Sequence, residues 1–447
     1  MKKTFRIGGI HPDDNKISAE AAIEAFPLVD VAYISMAQHL GAPATPVVAV
    51  GDKVKVGQVI GEPAGFISGY VHSSVSGTVK AVEPRADLAG NMVMHVAVEV
   101  EGDQWCEEID RSKVINTDIV LSSEEILDRI KKGGVVGMGG ASFPTHVKLN
   151  PPKDKKATAL ILNGTECEPY ITSDDRIMRE RPTEILVGAV IMMKVLDVKK
   201  CLVGIEENKP QAIASMKAAA SEFQFKDIEI VTLKKKYPQG GEKQLIDALL
   251  HRQVPSGGLP IDVGAVVQNV ATALSVYEAV QKNKPVIDNS VTVSGHCLDK
   301  QYNFLVRVGT PVSAILAHIG GLPESAAKVI SGGPMMGKAM VNPDAATVKA
   351  NGSILILTEK ETRRAPESNC IRCSKCAAAC PMGLEPWLLN KLSRAGGRYD
   401  ELEKERIFDC IECGCCSFTC PANIPLLDMI RINKAEVMKI IRGRAKK

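Results

Sequence analysis

The sequence predicts four folded parts: a β-rich N-terminal domain, an α/β domain with a parallel sheet, a small second β domain and a helical, cysteine-rich C-terminal domain. Two observations predict this: the order in which strand and helix patterns follow each other, and two cysteine runs near the C-terminus. A chain of 447 residues with 45% hydrophobic content can bury several cores. A net charge of +3 and an aromatic content of 4% argue against a nucleic-acid partner.

Residues 1–40 are rich in glycine and proline and show little periodicity, so we expect them to wrap around the other domains. From residue 41 to 105, short β-branched runs alternate with glycine turns, which indicates a small sandwich or barrel. The stretches VGDKVKVGQVIG and VSGTV resemble the biotinyl and lipoyl hammerhead family. In that family a hairpin lysine carries the prosthetic group, but residues 66–74 contain no lysine. We therefore expect a docking or scaffolding module without a covalent cofactor.

Helix and strand patterns alternate in residues 117–285. Ser122 and Glu125 form a capping box that predicts a helix through Lys132. The other predicted elements are strand 158–163, helix 183–196, strand 201–205, helix 210–221, strand 228–233, helix 242–250, strand 263–267 and helix 271–280. Strands separated by helices predict parallel pairing, and ligands of such sheets bind beyond the carboxyl ends of the strands.

Residues 286–345 return to β spacing and resemble the small β-grasp (SLBB) fold found beside flavin domains in respiratory complexes. A charged connector, residues 359–368, then leads into a helical cysteine domain that extends to residue 447. Thirteen cysteines in a chain that opens without an export signal argue for a reducing cytoplasm.

Eight of these cysteines form two copies of C-x-x-C-x-x-C-x-x-x-C-P, forty residues apart. This is the bacterial ferredoxin signature, in which the fourth cysteine of a run typically binds the other cluster. We therefore expect two [4Fe-4S] clusters, a first on Cys370, Cys373, Cys376 and Cys420, and a second on Cys410, Cys413, Cys416 and Cys380. Structural zinc would leave the third and fourth cysteines of each run unexplained. Cys415 lies off the spacing, and we expect a packed thiol without a ligand role.

A glycine-rich segment, VVGMGGASFPTHVK at residues 135–148, is followed by a strand and then by NGTECEPYITSDDR at residues 163–176. Glycines let backbone amides approach a phosphate or a flavin closely. Together the two segments resemble the flavin and NADH-binding loops of the complex I subunit that accepts hydride from NADH. The resemblance implies an α/β flavin domain of the complex I 51 kDa-like type, with noncovalent FMN and an NAD(H) site.

The resemblance implies contacts with FMN for Gly137, Gly139, Gly140, Ala141 and Lys148, and stacking on the nucleotide for Phe143. It implies contacts with the flavin ring for Asn163 and Glu166, a place near the nicotinamide for Glu168, and nucleotide-side contacts for Gly241 and Glu242. Contacts with the FMN phosphate are implied for Asn269 and Thr272. Asn269 and Thr272 could equally cap a helix. Met138 and Lys243 replace an arginine and a glutamate of the relatives. No side chain is expected to act as acid, base or nucleophile, and Glu166 and Glu168 are expected to orient the cofactors.

The order of hammerhead, flavin domain, β-grasp domain and two-cluster domain resembles the family of C subunits of Rnf complexes, as do the opening FRIGGIHP and the segment QHLGAPATPVVAV. The resemblance implies an NAD(H)-binding electron-transfer subunit of an ion-pumping ferredoxin:NAD⁺ oxidoreductase. It also implies membrane-embedded and ferredoxin-like iron–sulfur partner subunits, and a peripheral place on the cytoplasmic face of the inner membrane. The alternatives are a soluble flavin and iron–sulfur cobalamin reductase, whose hammerhead follows its clusters, and an electron-wiring subunit with a degenerate flavin pocket.

Two sequence features bear on the membrane. The most apolar stretch, residues 185–196, is interrupted by Lys194 and is too short to cross a bilayer. The basic tail, residues 431–447, interleaves apolar residues with seven cationic ones. It could lie on anionic lipid or a membrane subunit, or it could be a solvated tail.

Overall fold

The structure is a computed structural model and describes residues 2–444. Its strands are β1 Ile23–Ala25, β2 Val31–Ser35, β3 Thr45–Pro46, β4 Lys53–Val54, β5 Val59–Glu62, β6 Val71–His72, β7 Gly77–Ala86, β8 Met92–Val100, β9 Ala159–Gly164, β10 Cys201–Glu206, β11 Ile228–Leu233, β12 Ala265–Asn269, β13 Asp288–Ser294, β14 Tyr302–Arg307, β15 Ala326–Ser331, β16 Lys338–Ala339 and β17 Ser353–Thr358. Its α-helices are α1 Ser123–Lys132, α2 Thr145–Lys148, α3 Ser173–Glu180, α4 Pro182–Leu196, α5 Pro210–Glu222, α6 Glu242–Leu250, α7 Val270–Gln281, α8 Val312–His318, α9 Glu359–Thr362, α10 Lys375–Ala379, α11 Pro386–Ala395, α12 Tyr399–Lys404, α13 Cys415–Phe418 and α14 Leu426–Arg444.

The N-terminal β domain consists of two antiparallel sheets, β2-β8-β7-β4 and β3-β5-β6. Their inward-facing aliphatic side chains form one core. Strand β2 lies inside the predicted wrapping segment, so this domain begins before residue 41. Ala32 and Ile34 of β2 are buried against β8. Because β2 is only five residues long and follows a glycine- and proline-rich stretch, its alternation was too short to identify from sequence.

The N-terminal β domain contacts the α/β domain, in part through residues 66–74, the loop that contains no lysine. Lys349 is fully buried, and its Nζ donates to the carbonyls of Tyr70 in this loop and Gly134, both at 2.7 Å. The amide of Leu40 donates to the carbonyl of Ser142 at 3.0 Å. These contacts agree with a scaffolding module that holds the glycine-rich segment.

The α/β domain has a four-stranded parallel sheet in the order β11-β10-β9-β12. Leu160 and Leu162 of β9 face one core, formed with α4 and α7, whereas Ile161 faces a second core formed with α6. Strands buried on both faces are typical of parallel sheets. The predicted capping box of Ser122 and Glu125 is present, and the predicted boundaries of α6 and β11 are reproduced.

The β-grasp domain is a mixed six-stranded sheet in the order β1-β14-β13-β17-β15-β16. Two of its strands lie outside the predicted range of residues 286–345. Strand β17 extends the sheet to Thr358, and β1 of the N-terminal segment adds a parallel edge strand to β14. Both strands join the sheet by pairing with segments that are distant in the sequence, and no local residue pattern predicts such pairing.

The C-terminal domain packs short helices around the cysteine runs. Helices α11, α12 and α14 enclose a small aliphatic core. Val437 of α14 is buried and Ile441 packs against the same core, while Ile432 is exposed. The described part of the basic tail thus packs Val437 and Ile441 against its own domain, and residues 445–447 lie outside the described residues. Within residues 2–444, no helix combines the length and apolar character that a bilayer crossing requires.

Candidate functional site

The glycine-rich segment forms a tight hairpin at the edge of the parallel sheet. The amide of Gly137 donates to the carbonyl of Phe143 at 2.9 Å, and the amide of Ser142 donates back to Gly137 at 3.2 Å. Gly140 adopts a φ of +108°, which disfavours side chains, and nothing lies within 4 Å of where a Cβ would stand. Residues 139–141 are exposed. The loop therefore presents an open backbone surface that a flat or anionic ligand can approach.

This hairpin rests on the N-terminus of α7. Asn269 caps the helix, with its Oδ1 accepting from the amide of Ala271 at 2.7 Å. The hydroxyl of Thr272 accepts from the amide of Met138 at 2.9 Å. A Cβ on Gly139 would stand 3.3 Å from Asn269, so the glycine permits this close approach. The capping role of Asn269 is thus confirmed, and the same geometry places the helix N-terminus beside the glycine loop.

Two further predicted segments reach the same edge of the sheet. Asn163, the penultimate residue of β9, donates from Nδ2 to the carbonyl of Gly240 at 2.9 Å. Lys148 pairs with Glu242 at 2.6 Å, at the first residue of α6 and next to Gly241. Four predicted segments that are far apart in the sequence therefore converge at the carboxyl ends of parallel strands, where ligands of such sheets bind.

Glu166 is engaged by the protein itself. Its Oε1 accepts from the amide of Asp174 at 2.7 Å and its Oε2 from the amide of Asp175 at 3.3 Å, both in the first turn of α3. Its side chain is 4% exposed, and burial raises its pKa to about 8. The carboxyl group thus binds the N-terminus of α3 with both of its oxygens.

Glu168 lies between the α/β domain and the β-grasp domain. Its carboxylate accepts from the amides of Met335 at 3.0 Å and Met336 at 2.8 Å, and its Oε1 lies 3.4 Å from the hydroxyl oxygen of Tyr237. Gly333 packs against it so closely that a Cβ would overlap the carboxylate. Burial raises the pKa of Glu168. The sequence analysis did not identify the β-grasp loop GGPMMG as part of this site, although paired glycines in a short loop are a signal of close approach.

The two substituted positions differ in their surroundings. Met138 is 6% exposed and packs in the main core of the α/β domain, so its side chain faces away from the loop surface. Lys243 lies in the first turn of α6 and makes no ion pair within the described range. Phe143 is half-buried and Ala141 is exposed on the hairpin.

The cysteine runs assemble in the C-terminal domain as two groups. A small cavity is lined by Cys380, Cys410, Cys413 and Cys416, and by the off-register Cys415. Cys376 and Cys420 pack together against the aliphatic group around Ala422 and Ile424, while Cys370 and Cys373 are exposed. In residues 2–444 no three metal-binding side chains converge on a single ion; a [4Fe-4S] cluster spreads its four thiolates over four irons. The four thiols of Cys380, Cys410, Cys413 and Cys416 around one cavity are the donor set that such a cluster needs.

The group that contains Cys380, Cys410, Cys413 and Cys416 faces the α/β domain. The group that contains Cys370 and Cys373 faces outward. Tyr237 donates from its hydroxyl to the carbonyl of Cys413 at 2.9 Å, and Gln244 donates to the carbonyl of Pro381 at 3.2 Å. In the N-terminal segment, the amide of Gly9 donates to the carbonyl of Ala379 at 2.9 Å, and Gly8 packs against the backbone of Cys380. Residues 363–375, which carry Cys370 and Cys373, are exposed throughout.

Family models match consecutive parts of the chain. They are described as the RnfC barrel sandwich hybrid domain at residues 3–104, the Nuo51 FMN-binding domain at residues 130–278, the SLBB domain at residues 290–339 and the 4Fe-4S dicluster domain at residues 367–424. These matches confirm the predicted fold class, and they bear out FMN and iron–sulfur clusters as the cofactors.

Several curated proteins align over almost the whole chain. The C subunit of the proton-translocating ferredoxin:NAD⁺ oxidoreductase complex of Clostridium ljungdahlii is 44% identical over 438 residues, 98% of this chain and 94% of the relative. The Na⁺-translocating counterpart of Acetobacterium woodii is 41% identical, over 97% of each chain. The C subunit of the ion-translocating oxidoreductase complex of Rhodobacter capsulatus is 41% identical, over 96% of this chain and 82% of the relative.

Proposed function

Because the chain belongs to the family of C subunits of ion-translocating ferredoxin:NAD⁺ oxidoreductase (Rnf) complexes, we propose that it exchanges electrons with NAD(H) through FMN and passes them along two [4Fe-4S] clusters. The observation that carries this is a direct contact between the two halves of such a relay. The segment that follows β11 touches both the flavin-type site and the cysteine cavity, through Tyr237 and Gly240.

The protein supplies position and electrostatics to this chemistry. FMN, when bound, exchanges hydride with NAD(H) and single electrons with iron–sulfur clusters. Gly139 and Gly140 offer exposed backbone to it, with the N-terminus of α7 behind them, whereas the amide of Gly137 is held by the carbonyl of Phe143 and shapes the hairpin. Glu168 lies between the α/β and β-grasp domains, and it is the residue that would contact the nicotinamide.

We assign the cluster ligands as the crossed sets. Cys380, from the first run, shares one cavity with Cys410, Cys413 and Cys416 of the second. Cys420, from the second run, packs beside Cys376 of the first. These neighbours support the exchange of fourth ligands between the two ferredoxin-type runs.

The burial of the two sets supports an order of electron transfer. The cavity with Cys380 and Cys413 lies against the α/β domain, so the second cluster is the flavin's neighbour. The exposure of Cys370 and Cys373 supports a first cluster at the outer surface, where a partner's redox centre could come within tunnelling distance. We propose that this edge faces the iron–sulfur partner subunits and that the chain is held peripherally on the cytoplasmic face of the membrane.

Cofactor analysis of the anaerobically purified chain tests the function. We expect about eight irons, about eight acid-labile sulfides and about one FMN per chain, with cluster signals in electron paramagnetic resonance after NADH is added. Clusters without FMN would favour the alternative of an electron-wiring subunit with a degenerate flavin pocket. A folded chain that binds neither cofactor after reconstitution would contradict the proposal.

Glu168→Gln tests the nicotinamide side of the site. The variant keeps the shape of the side chain but removes its charge and points an NH₂ group at backbone donors. We expect slower NADH oxidation with unchanged iron content. Unchanged NADH oxidation would remove Glu168 from the site.

A further inference from the structure

Two buried ammonium groups hold the loop between β9 and α3, residues 165–171. Lys209, at the start of α5, donates from Nζ to the carbonyl of Thr165 at 2.6 Å and reaches that of Glu166 at 3.4 Å. Lys16, from the N-terminal segment, donates to the carbonyl of Glu166 at 2.8 Å. Its other bonds go to the carbonyls of Glu168 at 2.9 Å and Ile171 at 2.6 Å. Four carbonyls of one short loop therefore turn toward two cations.

The direction of these carbonyls fixes the direction of two amides. In a planar trans peptide, the C=O of one residue and the N–H of the next point in opposite directions. The carbonyls of Thr165 and Glu166 face the lysines, so the N–H groups of Glu166 and Cys167 face away from them. Within residues 2–444, neither N–H has a protein acceptor at hydrogen-bond distance. Successive free amides of this kind form a concavity that accepts a partially negative atom.

Burying two cations is a costly way to fasten a loop, because desolvation disfavours their charged form. The side chain of Lys209 is 2% exposed and that of Lys16 is 13% exposed. The nearest carboxylate to Lys209 is Glu206 at 3.6 Å, and the nearest to Lys16 is Glu166 at 4.0 Å. Burial lowers the pKa of Lys16 to about 8. The cost of burial is offset by these carboxylates and by the loop carbonyls that the ammonium groups bind, which ties both side chains to the conformation of the loop.

We propose that Lys16 and Lys209 are positioning residues of the flavin site: by binding the carbonyls of residues 165–171 they present the amides of Glu166 and Cys167 to a hydrogen-bond acceptor of the bound flavin ring. The inference rests on the proposed function, because it assumes that FMN binds beside this loop. It makes the N-terminal segment part of the cofactor site, although no motif in that segment marks Lys16 as a site residue.

The test uses the full chain with Lys16→Met, which keeps the length of the side chain and removes its three donors. FMN is removed and titrated back, and the dissociation constant is measured by quenching of flavin fluorescence. We expect binding at least about tenfold weaker, which is the loss of one to two ligand hydrogen bonds. The visible absorption bands of the bound flavin should also shift, because a hydrogen bond to a ring heteroatom alters them. Iron and sulfide content should stay unchanged.

Lys235→Met is the matched control. Lys235 lines the same cleft as Lys16 and pairs with Asp14 at 3.6 Å, but it contacts no carbonyl of the loop. Lys16→Arg restores a cation and should recover part of the FMN affinity, whereas a residue needed only to fill space would be served as well by methionine. Lys209→Arg makes the same comparison for the second cation.

The outcomes separate the two proposals. If wild-type protein binds no FMN, the proposed function fails. If wild type binds FMN and Lys16→Met matches Lys235→Met within about twofold in affinity and in absorption bands, the positioning role is overturned and the function stands. Should Lys16→Met lose its clusters or fail to fold, Lys16→Arg and Lys209→Arg decide. The bulkier guanidinium should displace the loop, so each variant should bind FMN more weakly than wild type and shift its absorption bands. Wild-type affinity and bands in both variants would contradict the positioning role.

Discussion

The hydroxyl of Tyr237 donates a hydrogen bond of 2.9 Å to the carbonyl of Cys413. The same hydroxyl lies 3.4 Å from Oε1 of Glu168, and the side chain is 1% exposed. One buried side chain therefore touches the candidate nicotinamide-side acid and the peptide that carries a cluster cysteine. The backbone of Tyr237 also pairs in both directions with Ile10 of the N-terminal segment. The flavin-type domain and the cluster domain are joined at this residue.

Tyr237→Phe should weaken this junction. The variant leaves the buried carbonyl of Cys413 without its donor, which costs roughly 1–3 kcal/mol. We expect a lower melting temperature and slower reduction of the clusters after NADH is mixed with the protein, measured by freeze-quench electron paramagnetic resonance. Reduction of FMN itself, followed by absorbance, should change less.

Tyr302→Phe is the matched control, because Tyr302 packs on Phe304 in the β-grasp sheet, away from the cysteines. If NADH reduces the clusters of Tyr237→Phe and Tyr302→Phe at the same rate, the hydroxyl of Tyr237 has no part in coupling the two domains.

Alanine at Cys380 and at Cys420 should have opposite consequences for electron transfer. Each variant should keep about four of about eight irons. In Cys420→Ala, NADH should still reduce the cluster that remains, because that cluster borders the flavin domain. In Cys380→Ala, the remaining cluster should accept electrons from dithionite but only slowly from NADH. The reason is that the second cluster, which would lie between FMN and the first cluster, is missing.

Cys415→Ala provides the control for cysteine loss within the second run, and it should retain both clusters. Equal NADH reduction in Cys380→Ala and Cys420→Ala would reject the proposed order, and loss of a cluster in Cys415→Ala would reject the expectation that this thiol has no ligand role.

Gly140→Ala should weaken FMN binding. The φ of +108° is unfavourable for an L-residue, and forcing a side chain into it costs about 1–3 kcal/mol. We expect a distorted hairpin and an FMN dissociation constant raised about tenfold, measured by fluorescence titration. Gly102→Ala introduces a comparable positive φ, +67°, in an open turn of the barrel, and it should leave FMN binding intact. Equal FMN affinities in the two variants would argue against a flavin at this hairpin.

Asp174→Asn should stabilise the protein at neutral pH. Burial raises the pKa of Asp174 to about 6 from a usual value of 3.8. A carboxyl with a raised pKa in the folded state favours folding below pH 3.8, and this contribution is lost as the pH rises through 6. Its ionisation therefore costs roughly 1–3 kcal/mol at pH 7.5. The asparagine keeps an oxygen to accept from Asn269, whose Nδ2 lies 2.7 Å from Asp174.

The check is the melting temperature of Asp174→Asn and wild type at pH 7.5 and pH 4. The variant should melt higher at pH 7.5, and the difference should shrink toward pH 4. Asp154→Asn, at an exposed loop position, should show no such trend. A gain that is the same at both pH values would mean that charge burial at Asp174 is not its cause.

Much of the molecule could be predicted from local patterns. The cysteine spacing indicated cluster ligands because a cubane needs thiolates at short, regular intervals. The alternation of apolar strands and helices indicated the parallel sheet, and the helix from Glu242 to Leu250 was predicted to the residue because a glycine and a glutamate mark its start. A helix cap at Asn269 was one of two alternatives that the sequence left open, and the structure shows that cap. Each of these signals lies within a few residues of the feature that it predicts.

The sequence by itself determined the order of domains, the two cysteine sets and the glycine loop, since each is a pattern of neighbouring residues. Only the tertiary structure decided what surrounds them. Lys16 meets the carbonyl of Ile171 across 155 residues, and Met335 meets Glu168 across 167. The oxygens of Glu166 turn to a helix N-terminus whose amides need an acceptor. Such contacts arise when buried charges and amides must find partners in a packed interior, and the partner chosen depends on which distant segments packing brings together.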